Sequence, residues 1–140
     1  MSAYKIFNVA DLAIDKLPSA LFLTEALQSY YFSVLWTRDG SAITLSSVLI
    51  SPSGANDWQQ VLNSKITDND GEITVAMGLL KQGSIIDLLF NVFPHQNISA
   101  CALQLTNHNT DQVKKIAPAS GNQALTKRKP WSNLVTIKLQ

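Results

Sequence analysis

The chain has 140 residues, eleven basic and ten acidic, for a formal net charge of +1. That length fits one domain over residues 1–140, able to bury roughly two thirds of its unfolded surface without a disulfide or metal staple. The near-neutral balance excludes selection of nucleic acid or an anionic membrane by bulk charge. Charged residues amount to only 15%, against about 25% in ordinary soluble domains, so some apolar surface is left for a partner or a second copy to cover.

Residues 1–7 lack a basic segment leading into a sustained apolar core, so no secretory signal is expected there. No run approaches the ~20 apolar residues of a membrane helix, and the expectation is a soluble, cytoplasmic protein with no transmembrane segment. Residues 4–9 read as a first strand, and residues 10–17 fit neither the helical nor the strand period. Residues 20–28 admit one or two helical turns capped by Ser19, or a short strand. Residues 29–37 place Tyr30, Phe32, Val34 and Trp36 on one face, a strand rich in aromatic and β-branched side chains.

Asp39-Gly40 then predicts a tight hairpin returning through residues 41–50, because Gly accepts the positive φ such turns demand. A polar loop follows to Asp57, and residues 58–66 admit a short helix, with Trp58, Val61 and Leu62 at helical spacing, or a strand.

Three apolar runs come next. Residues 72–80 alternate Ile73, Val75, Met77 and Leu79 against Glu72, Thr74, Ala76 and Gly78, a strand with one wet or loosely packed side. Residues 85–93 set Ile86, Leu88, Phe90 and Val92 against Asp87, Leu89, Asn91 and Phe93. Residues 98–106 set Cys101, Leu103 and Leu105 against Ile98, Ala100, Ala102 and Gln104. The four-residue connectors Lys81-Gln82-Gly83-Ser84 and Pro94-His95-Gln96-Asn97 have hairpin length and composition, so an antiparallel meander is the economical arrangement. Residues 107–129 are polar, holding either a weak strand near residues 112–117 or a mobile loop. Residues 134–139 close the chain as a strand with Val135, Ile137 and Leu139 on one face. Seven or eight short strands without a βαβ rhythm predict an all-β fold, an antiparallel β-sandwich of jelly-roll or immunoglobulin-like topology with at most one or two short helices.

Chemistry is sparse. Asp68-Asn69-Asp70-Gly71-Glu72 is rich in oxygen, but aligned with an EF-hand loop it puts Ile66 and Met77 at ligand positions, so it reads as a turn; a looser calcium site among interstrand loops stays open. His95 and His108 flank one strand about 25 Å long, which separates them too far to share a metal. No zinc spacing, nucleophile elbow or phosphate loop occurs, and no metal or cofactor is expected. Cys101, between small and apolar neighbours, reads as a buried thiol. Lys127-Arg128-Lys129-Pro130-Trp131 reads as a solvated basic loop whose Trp131 anchors the last strand, with phosphate contact and base stacking as the competing use. Asn97-Ile98-Ser99 matches a glycosylation acceptor without a secretion signal to bring it into use.

Two surfaces remain. Asp87, Leu89, Asn91 and Phe93 make a face suited neither to a dry core nor to open water, the mark of a protein interface. Asn56, Asp57, Trp58 and Gln59, with Trp131 as a second aromatic, combine an apolar platform with polar edges as carbohydrate sites do. The leading expectation is a non-enzymatic binding module acting through protein contacts or self-assembly. A lectin-like carbohydrate-binding module is the alternative, and an enzyme comes third.

Overall fold

A computed structural model of the chain describes residues 6–8, 27–52, 57–62 and 64–140. Among the described residues eleven strands run in chain order: β1 (Ile6–Asn8), β2 (Leu27–Trp36), β3 (Ile43–Ser51), β4 (Gln59–Gln60), β5 (Ile66–Asp68), β6 (Glu72–Lys81), β7 (Ile85–Pro94), β8 (Ile98–Asn107), β9 (Gln112–Ala117), β10 (Gln123–Leu125) and β11 (Trp131–Lys138). They form a β-sandwich of two sheets. The six-stranded sheet has the order β1-β6-β2-β8, with β9 and β10 both paired to β8. In the five-stranded sheet the order is β11-β7-β3, with β4 and β5 both paired to β3. All pairings are antiparallel except β1 with β6.

The core is what the period-two alternation dictates. Phe32, Val34 and Trp36 of β2, Ile73, Val75 and Met77 of β6, and Cys101, Leu103 and Leu105 of β8 turn inward from one sheet. They meet Ile43, Leu45, Val48 and Ile50 of β3, Ile86, Leu88, Phe90 and Val92 of β7, and Ile137 of β11 from the other. On β3 the inward phase shifts from odd to even residues because Ser46 is an extra residue between Leu45 and Ser47, which pair with Val92 and Asn91. A similar shift on β6 lies beside Gly78, whose φ is +84°.

Three expectations need correction. The runs now seen as β6, β7 and β8 do not form a meander: β6 and β8 both flank β2 in one sheet, while β7 joins β3 and β11 in the other. Four-residue connectors cross the ~10 Å between sheets as readily as the ~4.8 Å between neighbouring strands, so turn length did not discriminate. The Asp39-Gly40 turn likewise carries the chain from β2 in one sheet to β3 in the other and closes no hairpin. Its positive φ is real, +88° at Gly40, and the Asp39 carboxylate accepts the Ser41 backbone N–H at 2.9 Å. Hydrogen bonding from Ser41 holds that carboxyl below its ordinary value.

The third correction concerns residues 72–80. Thr74 and Ala76, on the side expected to be wet or loosely packed, are buried and so not wet, as are Ser33 and Ala102 beside them. The Ser33 and Thr74 hydroxyls hydrogen-bond each other at 3.0 Å, which satisfies them away from water. Among the described residues there is no helix. Residues 58–66 hold β4 and the first residue of β5 instead, since the Val61 N–H donates to the Val48 carbonyl at 2.8 Å across the sheet. Of the possible helix at residues 20–28, residues 20–26 lie outside the described residues, while Leu27 and Gln28 belong to β2.

Gly71 shows how tightly one sheet-to-sheet crossing is built. Its φ is +86°, its carbonyl accepts the Trp36 N–H at 2.9 Å, and a Cβ would stand 3.1 Å from the Trp36 carbonyl oxygen and 3.3 Å from Arg38 Cβ. Gly71→Ala therefore combines a left-handed backbone with a crowded contact and should cost about 2 kcal/mol, read from the shift in denaturant midpoint. Gly83→Ala, with similar φ of +84° but nothing within 4 Å of its Cβ, should cost less.

Candidate functional site

The outer face of the five-stranded sheet gathers the residues expected at an interface. Because Ile86, Leu88, Phe90 and Val92 of β7 point into the core, the alternate residues Ile85, Asp87, Leu89, Asn91 and Phe93 point out. Strand pairing then sets a row of leucines across the sheet: Leu49 of β3 opposes Leu89 of β7, which opposes Leu134 of β11. Leu89 is 37% exposed and Leu134 52% exposed, while Leu49 is half-buried. Cβ atoms directly opposite lie about 5 Å apart, so the three side chains form one apolar stripe.

Polar rows border that stripe. On one side Ser51, Asp87 and Thr136 oppose one another, and the Thr136 hydroxyl donates to the Asp87 carboxylate at 2.7 Å. On the other side stand Ser47, Asn91 and Ser132. Asn91 Oδ1 is buried with no hydrogen-bond partner among the described residues, an arrangement that costs about 1–3 kcal/mol for an acceptor closed off from water. Phe93 lies further along, half-buried, with the His95 ring edge-on at 5.3 Å and 78°. Thr44 opposes Phe93 and its hydroxyl is 2.7 Å from His95 Nε2 and 2.7 Å from the Thr67 hydroxyl.

Leu49 and Leu134 were missed by sequence reasoning. The bulge at Ser46 hides the face on which Leu49 lies. Leu134 had a usable signal, since Val135, Ile137 and Leu139 on one face put Leu134 on the other.

The residues proposed for carbohydrate are divided. Asn56 lies outside the described residues. Asp57, Trp58 and Gln59 are exposed, Trp58 at 37%, and the Ser51 hydroxyl donates to Asp57 Oδ1 at 2.6 Å. Trp131 stands on the far edge of the sheet, three strands across and about five residues along, which puts roughly 22 Å between the two tryptophans' backbones. Its half-buried ring packs edge-on against Phe90 at 5.1 Å and 79°. The hollow beside it, lined by Gln123, Leu125, Thr126, Lys129 and Pro130 among others, has a volume of about 200 Å³, less than the ~300 Å³ at which small-molecule pockets begin.

Residues 107–129 contain β9 and β10, and the basic residues form a turn tied by its backbone: Lys127 N–H to Asn97 Oδ1 at 2.8 Å and Arg128 N–H to the Pro94 carbonyl at 2.9 Å. The acidic turn is likewise local, the Asp70 N–H donating to Asp68 Oδ1 at 2.9 Å. Among the described residues no group of three or more His, Cys, Asp or Glu side chains is placed to hold a metal ion. Cys101 is buried in the core, and burial pushes its thiol up to about 12, far from the thiolate a nucleophile needs. No described helix is long and apolar enough to cross a membrane.

No protein-family model and no curated protein matches this chain. Among solved structures, the crystal structure of a DUF4425 family protein from Bacteroides ovatus is similar with a TM-score of 0.32 and 10% identity, over 79% of this chain and 94% of that one. A likeness of that size carries no argument about function.

Proposed function

We propose that this chain is a non-enzymatic interaction module whose binding surface is the outer face of the five-stranded sheet, centred on Leu89 with Asp87, Asn91 and Phe93 around it. The observation that carries the reading is the Leu49–Leu89–Leu134 row, an apolar stripe between polar rows. An apolar centre with a polar rim is the anatomy of protein interfaces. The outer side of the other sheet offers no such surface at Ser33, Thr74, Ala76 and Ala102, which are already buried. A low charge content points the same way. The carbohydrate alternative keeps Trp58 with Asp57 and Gln59 but loses Trp131 as a second platform, and it ranks below the protein reading for that reason.

Leu134→Lys tests the proposal. The side chain is more than half exposed, so the substitution should change stability by less than about 1 kcal/mol. The chain, natively extracted and then purified, is expected to have a light-scattering mass above one chain, alone or with a protein partner, and the variant is expected to fall to one chain with an unchanged circular dichroism spectrum. A complex indifferent to Leu134→Lys, or a wild-type chain that is single in both preparations, overturns the reading.

A further inference from the structure

The leucine row ends at an unusual sheet edge. Among the described residues β11 pairs as a strand only with β7, over eight residues in unbroken register, and Lys114 of β9 reaches it with a side chain at its far end. The opposite edge of the same sheet is divided between β4, of two residues, and β5, of three. Short strands are one way in which proteins protect an edge from pairing; charges, prolines and bulges within the strand are others. β11 has none of these within its paired run except Lys138 at its last position.

Hydrogen bonds at three places show which β11 groups face outward. Leu139, just past the strand, directs its N–H to the Ser84 carbonyl and its own carbonyl to the Gly83 N–H, both toward the β7 side. The Leu134 N–H instead goes to Asn133 Oδ1 at 2.9 Å, and the Lys138 carbonyl accepts from Lys114 Nζ at 3.4 Å. Since donors and acceptors alternate along an antiparallel strand, the odd-numbered residues of β11 bond β7, and Ser132, Leu134, Thr136 and Lys138 present their backbone groups to the open edge.

We propose that the partner of this surface is a second copy of the chain, joined β11 to β11 in antiparallel register about a two-fold axis at Leu134. This rests on the reading that the outer face of the five-stranded sheet is the interaction surface. In that register Leu134 opposes its own counterpart, and Ser132 opposes Thr136 in both directions. All three pairs use edge-facing backbone groups and exchange six hydrogen bonds. Lys138 falls opposite Pro130, so no like charges meet, as an isologous strand pair requires. The two leucine rows become one stripe of six, from Leu49 of one copy to Leu49 of the other. Such a contact is small, and the dimer is expected to be reversible and concentration-dependent.

Sedimentation velocity of the full chain across a concentration series tests this. The wild type should pass from one chain to two. Ser132→Pro removes an N–H that faces the open edge and spares those that bond β7, a place where a strand tolerates proline; it should remain folded and stay single at concentrations where the wild type is dimeric. Asn133→Ala frees the Leu134 N–H from its side-chain cap and should lower the dimer dissociation constant roughly ten-fold, about one hydrogen bond's worth. A wild type that remains single throughout, or a folded Ser132→Pro chain that still dimerises, overturns the edge pairing. If Ser132→Pro does not fold, Asn133→Ala decides, and an unchanged dissociation constant overturns it. The broader reading fails separately: association that survives Ser132→Pro but is lost in Leu134→Lys keeps the surface and discards the edge, whereas association indifferent to Leu134→Lys discards the surface itself.

Discussion

Phe90→Ala should cost about 3–5 kcal/mol of unfolding free energy, the range found when a buried phenylalanine is cut back in a close-packed interior. Its ring is completely buried, on the inward side of the strand at the middle of the five-stranded sheet. Trp131 meets it edge-on, so the truncation removes apolar contact from the core and takes away the support of the tryptophan that begins β11. Against the 5–15 kcal/mol typical of a whole domain, the loss is a large fraction. The measurement is urea unfolding followed by tryptophan fluorescence: the midpoint should fall with the slope unchanged, and native emission should shift to the red as water reaches Trp131. Phe90→Leu, which keeps most of the volume, should cost under about 2 kcal/mol. A Phe90→Ala cost below about 1 kcal/mol would show that the two sheets do not close over this ring.

Asn107→Leu is expected to cost about 3 kcal/mol although it preserves size, because one buried amide ties together three parts of the chain. Its Nδ2 donates to the Gln140 carbonyl at 2.7 Å, to the Tyr30 hydroxyl at 3.3 Å and to Gln28 Oε1. Its Oδ1 accepts the Asn109 and Thr110 N–H groups at 3.0 and 3.3 Å, shaping the turn between β8 and β9. The Tyr30 hydroxyl also donates to the Gln140 carbonyl at 3.0 Å, and burial holds its ionisation above the ordinary tyrosine value despite the Asn107 bond. Leucine orphans groups at each end of this network, and each group left without a partner away from water costs about 1–3 kcal/mol, less where water can reach it. Hydrogen exchange separates the local part of the effect. The Asn109 and Thr110 amides should lose protection beyond what the global loss of stability explains. Equal protection in wild type and variant would mean that the turn does not depend on this side chain.

How much of this was legible in the sequence depends on the range of the interaction. Alternation along a strand is local: a side chain at position i points opposite to its neighbour whatever the rest of the chain does. The inward sets Phe32, Val34 and Trp36, Ile86 to Val92, and Cys101 to Leu105 were therefore readable, as was the outward set Asp87, Leu89, Asn91 and Phe93. The strand Gln112–Ala117 was one of two readings of its polar stretch, drawn from the length of that stretch and not from alternation. Together these determine the β-sandwich and single out the face that carries the candidate surface.

Pairing is a different matter, because the choice of neighbour is made by the packing of the whole sandwich. Residues 81–84 and 94–97 have the composition of hairpin turns, yet each carries the chain to the opposite sheet. Only the tertiary structure places Leu49, Leu89 and Leu134 in one row, drawing them from strands whose centres lie some forty residues apart in the chain. It also leaves β11 at an edge and sets Trp58 and Trp131 on opposite sides of the sheet. The sequence determined which side chains point out; the fold decided which of them stand together, since strands distant in the chain become neighbours only when both sheets close over a common core.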